Sequence, residues 1–257
     1  MTLFPKLRLM TFARAQVDEL LHRLFIDAPA TSLRDEDRRK SDEMAGLLAE
    51  VEAAVARRGA KGEFVLVDAA AGKAYVGLLA AELILAPRGR PARVAACRDA
   101  ITRLRALFFH EDRVSIEVVM ADVADPAAWP SEPDLVVALH ACGPASDVII
   151  DRSLAVRART LLLVPCCTSK DVSAAGLAQR RADQLGMPRH AEVRRRFIQS
   201  IVDAERTLRL EAAGWQTTVV SFVAPTVTPH NLLWRAERVG EPSRMAEAAD
   251  QLARLRS

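Results

Sequence analysis

A chain of 257 residues, half of them hydrophobic and about a quarter charged, suits one domain of moderate size. No apolar run approaches the roughly 18 residues of a membrane span. The first twenty residues lack the apolar core and small-residue cleavage site of a secretory signal, so no membrane partner and a cytoplasmic setting are expected. A formal charge of +3 is too small to establish a nucleic-acid partner by itself.

Helical spacing covers residues 12–26 and 36–58, an N-terminal helical segment ending near residue 60. In the second stretch Met44, Leu47, Leu48, Val51 and Val55 recur at intervals of three and four, and Gly59 follows as a stop. Strands and helices then alternate. Residues 63–68 read as a strand, 73–86 as a helix closed by Pro87, 92–97 as a strand and 99–109 as a helix. Residues 114–120 and 133–140 read as strands, 146–156 as a helix with Ser146 as N-cap, and 160–165 as a strand. A polar, arginine-rich insertion spans about 168–192, and a helix covers about 193–213. Strands at 215–224 and 231–239 form a hairpin, and a last helix covers 243–255. Such alternation means an α/β fold with a mostly parallel sheet, whose ligands sit beyond the carboxyl ends of the strands.

The residues at those ends therefore carry the functional reading. After the first strand comes Asp68-Ala-Ala-Ala-Gly72-Lys-Ala74, either a cofactor loop or a plain turn. Glycine lets a ligand approach the backbone, whereas the alanines here are expected to resist positive φ. After the second strand, Cys97 stands where a ribose-binding carboxylate is expected, and after the third comes Asp122. The fourth strand ends in "LHACGPASD", the fifth in "VPCC", and "TPHN" precedes the last. His140, Cys142, Cys166, Cys167, His230 and Asn231 are expected to converge on one edge. His140 suits neutral-pH proton transfer, and a backbone-bonded loop histidine is the alternative. The cysteines are expected to be free thiols. No CxxC spacing supports a metal site, so none is expected.

"VDAAAGKAYVGLLA", "LVVALHACGPASD", "LLLVPCC" and "TPHNLLWRAER", in this order, resemble the class I S-adenosylmethionine-dependent methyltransferases that carry HACG after strand four and PCC after strand five. That group includes tRNA 2′-O-methyltransferases and other methyltransferase-like proteins. Lys40 and Glu43 in "RRKSDEM" are similar to its Lys-x-x-Glu pattern, and the likeness covers about residues 38–238. The resemblance implies a Rossmann-like, seven-stranded, mostly parallel sheet with an antiparallel last strand, in a methyltransferase domain over 61–257. It implies S-adenosylmethionine as cofactor. Asp68, Ala70 and Gly72 would lie at its methionine end, Cys97 and Asp122 at the ribose and adenine, and His140 at the methyl. Ala70, Ala74 and Cys97 depart from the pattern and imply weaker binding.

In-line methyl transfer needs nucleophile and methyl held in register, and a hydroxyl acceptor needs a base. His140 and Asn231 are the catalytic candidates, with Cys166, His230, Arg194 and Arg195 binding substrate. The arginines between 180 and 196 suit the phosphates of RNA, and equally a solvated helix face. RNA, a small molecule, and a non-catalytic role in the same fold all stay open.

Overall fold

The computed structural model describes residues 12, 14–25, 35–59, 62–72, 74–88, 91–96, 114–166, 168–190 and 192–257. Its seven strands are β1 (Phe64–Asp68), β2 (Ala92–Ala96), β3 (Val114–Val118), β4 (Leu135–Ala141), β5 (Thr160–Pro165), β6 (Trp215–Ser221) and β7 (Leu232–Arg238). They lie in the order β3-β2-β1-β4-β5-β7-β6. The first five are parallel, and β7 runs antiparallel to both β5 and β6. This is the expected Rossmann-like sheet. The strand order reverses between β1 and β4, which opens a crevice at their carboxyl ends.

Side chains alternate across the central strands, so each strand feeds two cores. Phe64, Leu66, Leu135, Val137, Leu162 and Val164 face one core, and Val67, Val136, Ala138, Leu161 and Leu163 face the other. The first core is covered by α1 (Arg14–Phe25), α2 (Asp35–Arg58) and α3 (Tyr75–Ala80, continued by a wider turn over Ala81–Leu85). Met44, Leu47, Leu48, Val51 and Val55 of α2 all lie in it, as their spacing predicts. The second is covered by α4 (Ala145–Ala155) and α6 (Glu192–Ala212) through Ile149, Ile150 and Leu210, packed on Trp215 and Trp234.

A helix not anticipated from the sequence, α5 (Ala175–Gln184), folds inside the arginine-rich insertion, and α7 (Pro242–Arg256) closes the chain against α6. Ala175, Ala178 and Ala182 are the buried positions of α5, and alanines at that spacing are too small to stand out as an apolar stripe. The helix expected over 99–109 lies outside the described residues. No described helix is long and apolar enough to cross a membrane.

Candidate active site

The turn after β1 is held in left-handed backbone at three alternate residues, with φ of 54° at Ala70, 58° at Gly72 and 58° at Ala74. The expectation that the alanines resist positive φ is therefore corrected: both adopt it, at a cost of about 1–2 kcal/mol each. Ala74 precedes the first turn of α3 and has no side-chain oxygen to cap it. Asp68 supplies one from the end of the strand, its Oδ2 accepting the Gly77 N–H at 2.8 Å. That bond satisfies an amide that the first helical turn leaves without a partner. Burial pushes the Asp68 carboxyl up to about 7, and the Gly77 hydrogen bond opposes the shift. A Cβ on Gly77 would meet Asp68 Cβ, Asp68 Oδ2 and Val94 Cγ1, each at 3.1 Å, so a side chain here would press on the Asp68 brace and on β2 where α3 lies close to the sheet. Over Gly72, by contrast, the space is open. The spacing Gly72-x-Ala74-x-x-Gly77 thus carries a turn residue, a close approach and a packing glycine.

Cys97 lies outside the described residues. Asp122 is exposed, and its Oδ1 accepts the Ala124 N–H at 2.8 Å while its carbonyl accepts from Asp125. It shapes the turn after β3.

The exit of β4 is irregular. Pairing with β5 slips between Leu139 and Ala141, leaving His140 as a bulged residue at φ 56°. A bulge beside a crevice re-aims the side chain it carries. The His140 Nε2 meets Glu43 Oε2 of α2 at 2.6 Å, with the Glu43 side chain 8% exposed and the His140 side chain 40%. Ser146 does not cap α4. Pro144 stands at the cap position, and the buried Ser146 hydroxyl donates to Ala141 O at 2.6 Å. Behind the turn, the fully buried Arg206 of α6 donates to Asp147 Oδ1 at 2.9 Å and to Gly143 O at 3.4 Å. Asp147 Oδ2 also accepts the Ser173 N–H. Cys142 and Cys166 are joined in a disulfide between the exits of β4 and β5, which corrects the expectation of free thiols there. Cys167 lies outside the described residues.

Beyond the exit of β5 and the start of β7 lies a cleft of about 1480 Å³. Cys166 and His230 line it, together with Lys170, Arg189, His190, Arg195 and Arg196. Arg194 also borders it, but its side chain is 9% exposed and its guanidinium is committed to Asp183 Oδ1 at 2.8 Å, Met187 O and Gln179 O. It ties α5 to α6 while bordering the cleft. Arg195 and Arg196 are exposed and share Glu192. On the inner wall, burial pushes Asp203 up, while its bonds to Gln199 and the charge of Arg206 pull it back. His140 stands at the β4 exit next to this lining, two residues before Cys142, which the disulfide joins to Cys166 on the cleft wall. The Asn231 amide donates to Val223 O at 3.0 Å and closes the hairpin loop.

Three contributors escaped the sequence reading as site residues. Glu43 was visible only through its Lys-x-x-Glu pattern, and Gly77 through its distance from Gly72. Arg206 gave no signal, because a lone arginine on an amphipathic helix looks solvated.

Residues 39–174 match a family model described as a methyltransferase domain. No curated protein sequence matches the chain. Among solved structures, the chain is similar to magnesium protoporphyrin IX methyltransferase from Synechocystis with bound SAH, at 15% identity and a TM-score of 0.46, covering 88% of this chain and 100% of that one. It is similar to a putative RNA methyltransferase from Pyrococcus horikoshii at 11% identity and 0.43, covering 88% and 98%. It is also similar to the M. capricolum TrmK in complex with S-adenosyl-homocysteine, at 9% identity and 0.38, covering 76% and 68%.

Proposed function

The chain belongs to the methyltransferase-domain family; we propose that it transfers the methyl group of S-adenosylmethionine and that its methyl acceptor is RNA. When bound, the cofactor supplies a methyl group carried on a sulfonium. The turn after β1 fits such a group, with open space over Gly72 and a carboxyl at the strand end. Asp68, Ala70 and Gly72 would hold the methionine end, and Cys97 and Asp122 the ribose and adenine. The HACG and PCC segments support a place in the group that carries those signatures.

The observation that carries the RNA reading is the basic cleft. Its volume of about 1480 Å³ exceeds the roughly 300–1,000 Å³ of ordinary small-molecule sites. Lys170, Arg189, Arg195, Arg196, His190 and His230 point to an acceptor with several phosphates. His140 is the proposed base for a hydroxyl nucleophile, taking its proton as the oxygen attacks. His230 and Cys166 would flank the acceptor, and Asn231 would act by fixing the hairpin loop.

The test replaces Arg189, Arg195 and Arg196 with alanine and titrates single-stranded RNA across salt concentrations. Each lost phosphate contact flattens the log–log slope by about 0.7, so a change of up to about 2 is expected, with affinity for S-adenosylhomocysteine unchanged. An unaltered slope, or a parent that binds no RNA, returns the acceptor to the small molecules.

A further inference from the structure

We infer that Glu43 is a positioning residue that fixes the tautomer of His140 and leaves Nδ1 as the proton-accepting atom; this rests on the reading of His140 as the base. Four observations meet here. His140 is the bulged residue of β4, in left-handed backbone that few side chains other than His, Asn and Asp adopt readily. Its Nε2 lies 2.6 Å from a carboxylate oxygen of Glu43. That carboxylate is nearly buried, whereas the ring is partly exposed. Among the described residues this is the ring's only hydrogen bond.

The chemistry follows from donor and acceptor counting. An ionised carboxylate only accepts, so the nitrogen facing it must carry the hydrogen. In neutral His140 that nitrogen is Nε2, and the lone pair resides on Nδ1. A proton taken from an acceptor hydroxyl lands on Nδ1, and the imidazolium that results faces the Glu43 charge through its other N–H. The base is thereby oriented before the acceptor arrives.

The helix that presents Glu43 is held firmly. Glu43, Gly46 and Glu50 lie on one face of α2 at intervals of three and four. A Cβ on Gly46 would meet Val223 Cγ1 at 2.7 Å and Phe222 O at 2.8 Å, so α2 lies against the chain that follows β6. Glu50 takes a two-pronged contact from Arg235 of β7 at 2.6 and 2.9 Å. Arg57 pairs with Glu237, and Arg58 with Asp134. Glu43 therefore sits in the N-terminal half of a helix locked across the sheet, which holds its backbone beside the bulge.

The experiment reads the tautomer directly. The full chain is labelled with ¹⁵N-histidine, and long-range proton–nitrogen correlations are recorded near pH 8.5, about two units above an ordinary histidine pKa. His140→Gln assigns the signal among the five histidines. The parent is expected to show the Nε2–H tautomer. Glu43→Gln, whose amide can donate to Nε2, should shift His140 toward Nδ1–H. Its kcat on RNA should fall by about 10²–10⁴-fold, the range a misdirected base costs, with KM within about twofold. Glu43→Asp keeps the carboxylate and should retain the parent tautomer. A parent in the Nδ1–H form, a Glu43→Gln variant still in the Nε2–H form, or a switched tautomer with unchanged kcat each overturns the proposal. If Glu43→Gln does not fold, Glu43→Ala takes its place: without the carboxylate the His140 ring should become a mixture of tautomers and kcat should fall, and an unmixed Nε2–H ring or an unchanged kcat overturns the proposal. A parent that methylates no RNA overturns the acceptor reading instead, while the tautomer still decides the pair.

Discussion

The turns after β1 and after β4 face the same crevice, and both contain left-handed residues. They are stabilised differently. The β1 turn is supported locally: Asp68 reaches nine residues along the chain to Gly77, and three small residues absorb the positive φ angles. The β4 turn is supported from a distance. Glu43 arrives from α2, 97 residues away in sequence, and Arg206 from α6, 63 residues beyond Gly143. A turn that only has to present backbone can be made from small residues and one buried acid. The turn whose bulge carries an imidazole is held by charged side chains from outside, because a bulge alone leaves the ring free to rotate.

If this contrast is right, the largest stability loss lies at the remote brace. Arg206→Ala leaves Asp147 buried without its guanidinium and Gly143 O without its donor. Breaking a buried pair from one side costs about 3–5 kcal/mol, and urea unfolding should show a loss of that size. A loss near zero would mean that Arg206 is incidental to the turn.

The local brace should cost less. Asp68→Ala removes the acceptor for Gly77, worth about 1–2 kcal/mol by the usual capping scale, and it should also abolish binding of S-adenosylhomocysteine in calorimetry. Asp68→Asn keeps an acceptor oxygen and removes the titration. The folded pKa of about 7 lies above the ordinary 3.8, so the native state binds the proton more tightly than the unfolded chain. The stabilising difference is full below about pH 4 and is lost as pH rises through 7. The urea midpoint of the parent, relative to Asp68→Asn, should therefore fall across that window. A constant difference would show that Asp68 does not titrate there.

The smallest effect is a gain. Ala70→Gly relieves a left-handed alanine on an exposed turn and should stabilise by about 0.5–1 kcal/mol, or roughly 2 °C in Tm. Ala74→Gly should gain less, because the Ala74 methyl is buried and a buried methyl group is worth about 0.8 kcal/mol. Equal gains at both positions would mean that packing at Ala74 contributes nothing.

By itself the sequence determined the strands, the parallel sheet with its returning last strand, and the turns at the carboxyl ends of its strands. Those features are local: alternation, apolar runs and capping signals are set by neighbours within a turn or two. Single features failed where local signals were weak or misleading. The alanine stripe of α5 was too small to read, and Ser146 looked like a cap because a hydroxyl can accept from a helix amide as readily as it donates to Ala141 O. Only the tertiary structure decided that Glu43 meets His140, that Arg206 holds the Gly143 turn, that Arg194 is a brace while Arg195 stays exposed, and that Asn231 serves its own loop. Each of those depends on which face of an element meets another across the sheet, and a charged residue carries no mark in sequence of whether its partner is water or a buried group of opposite charge.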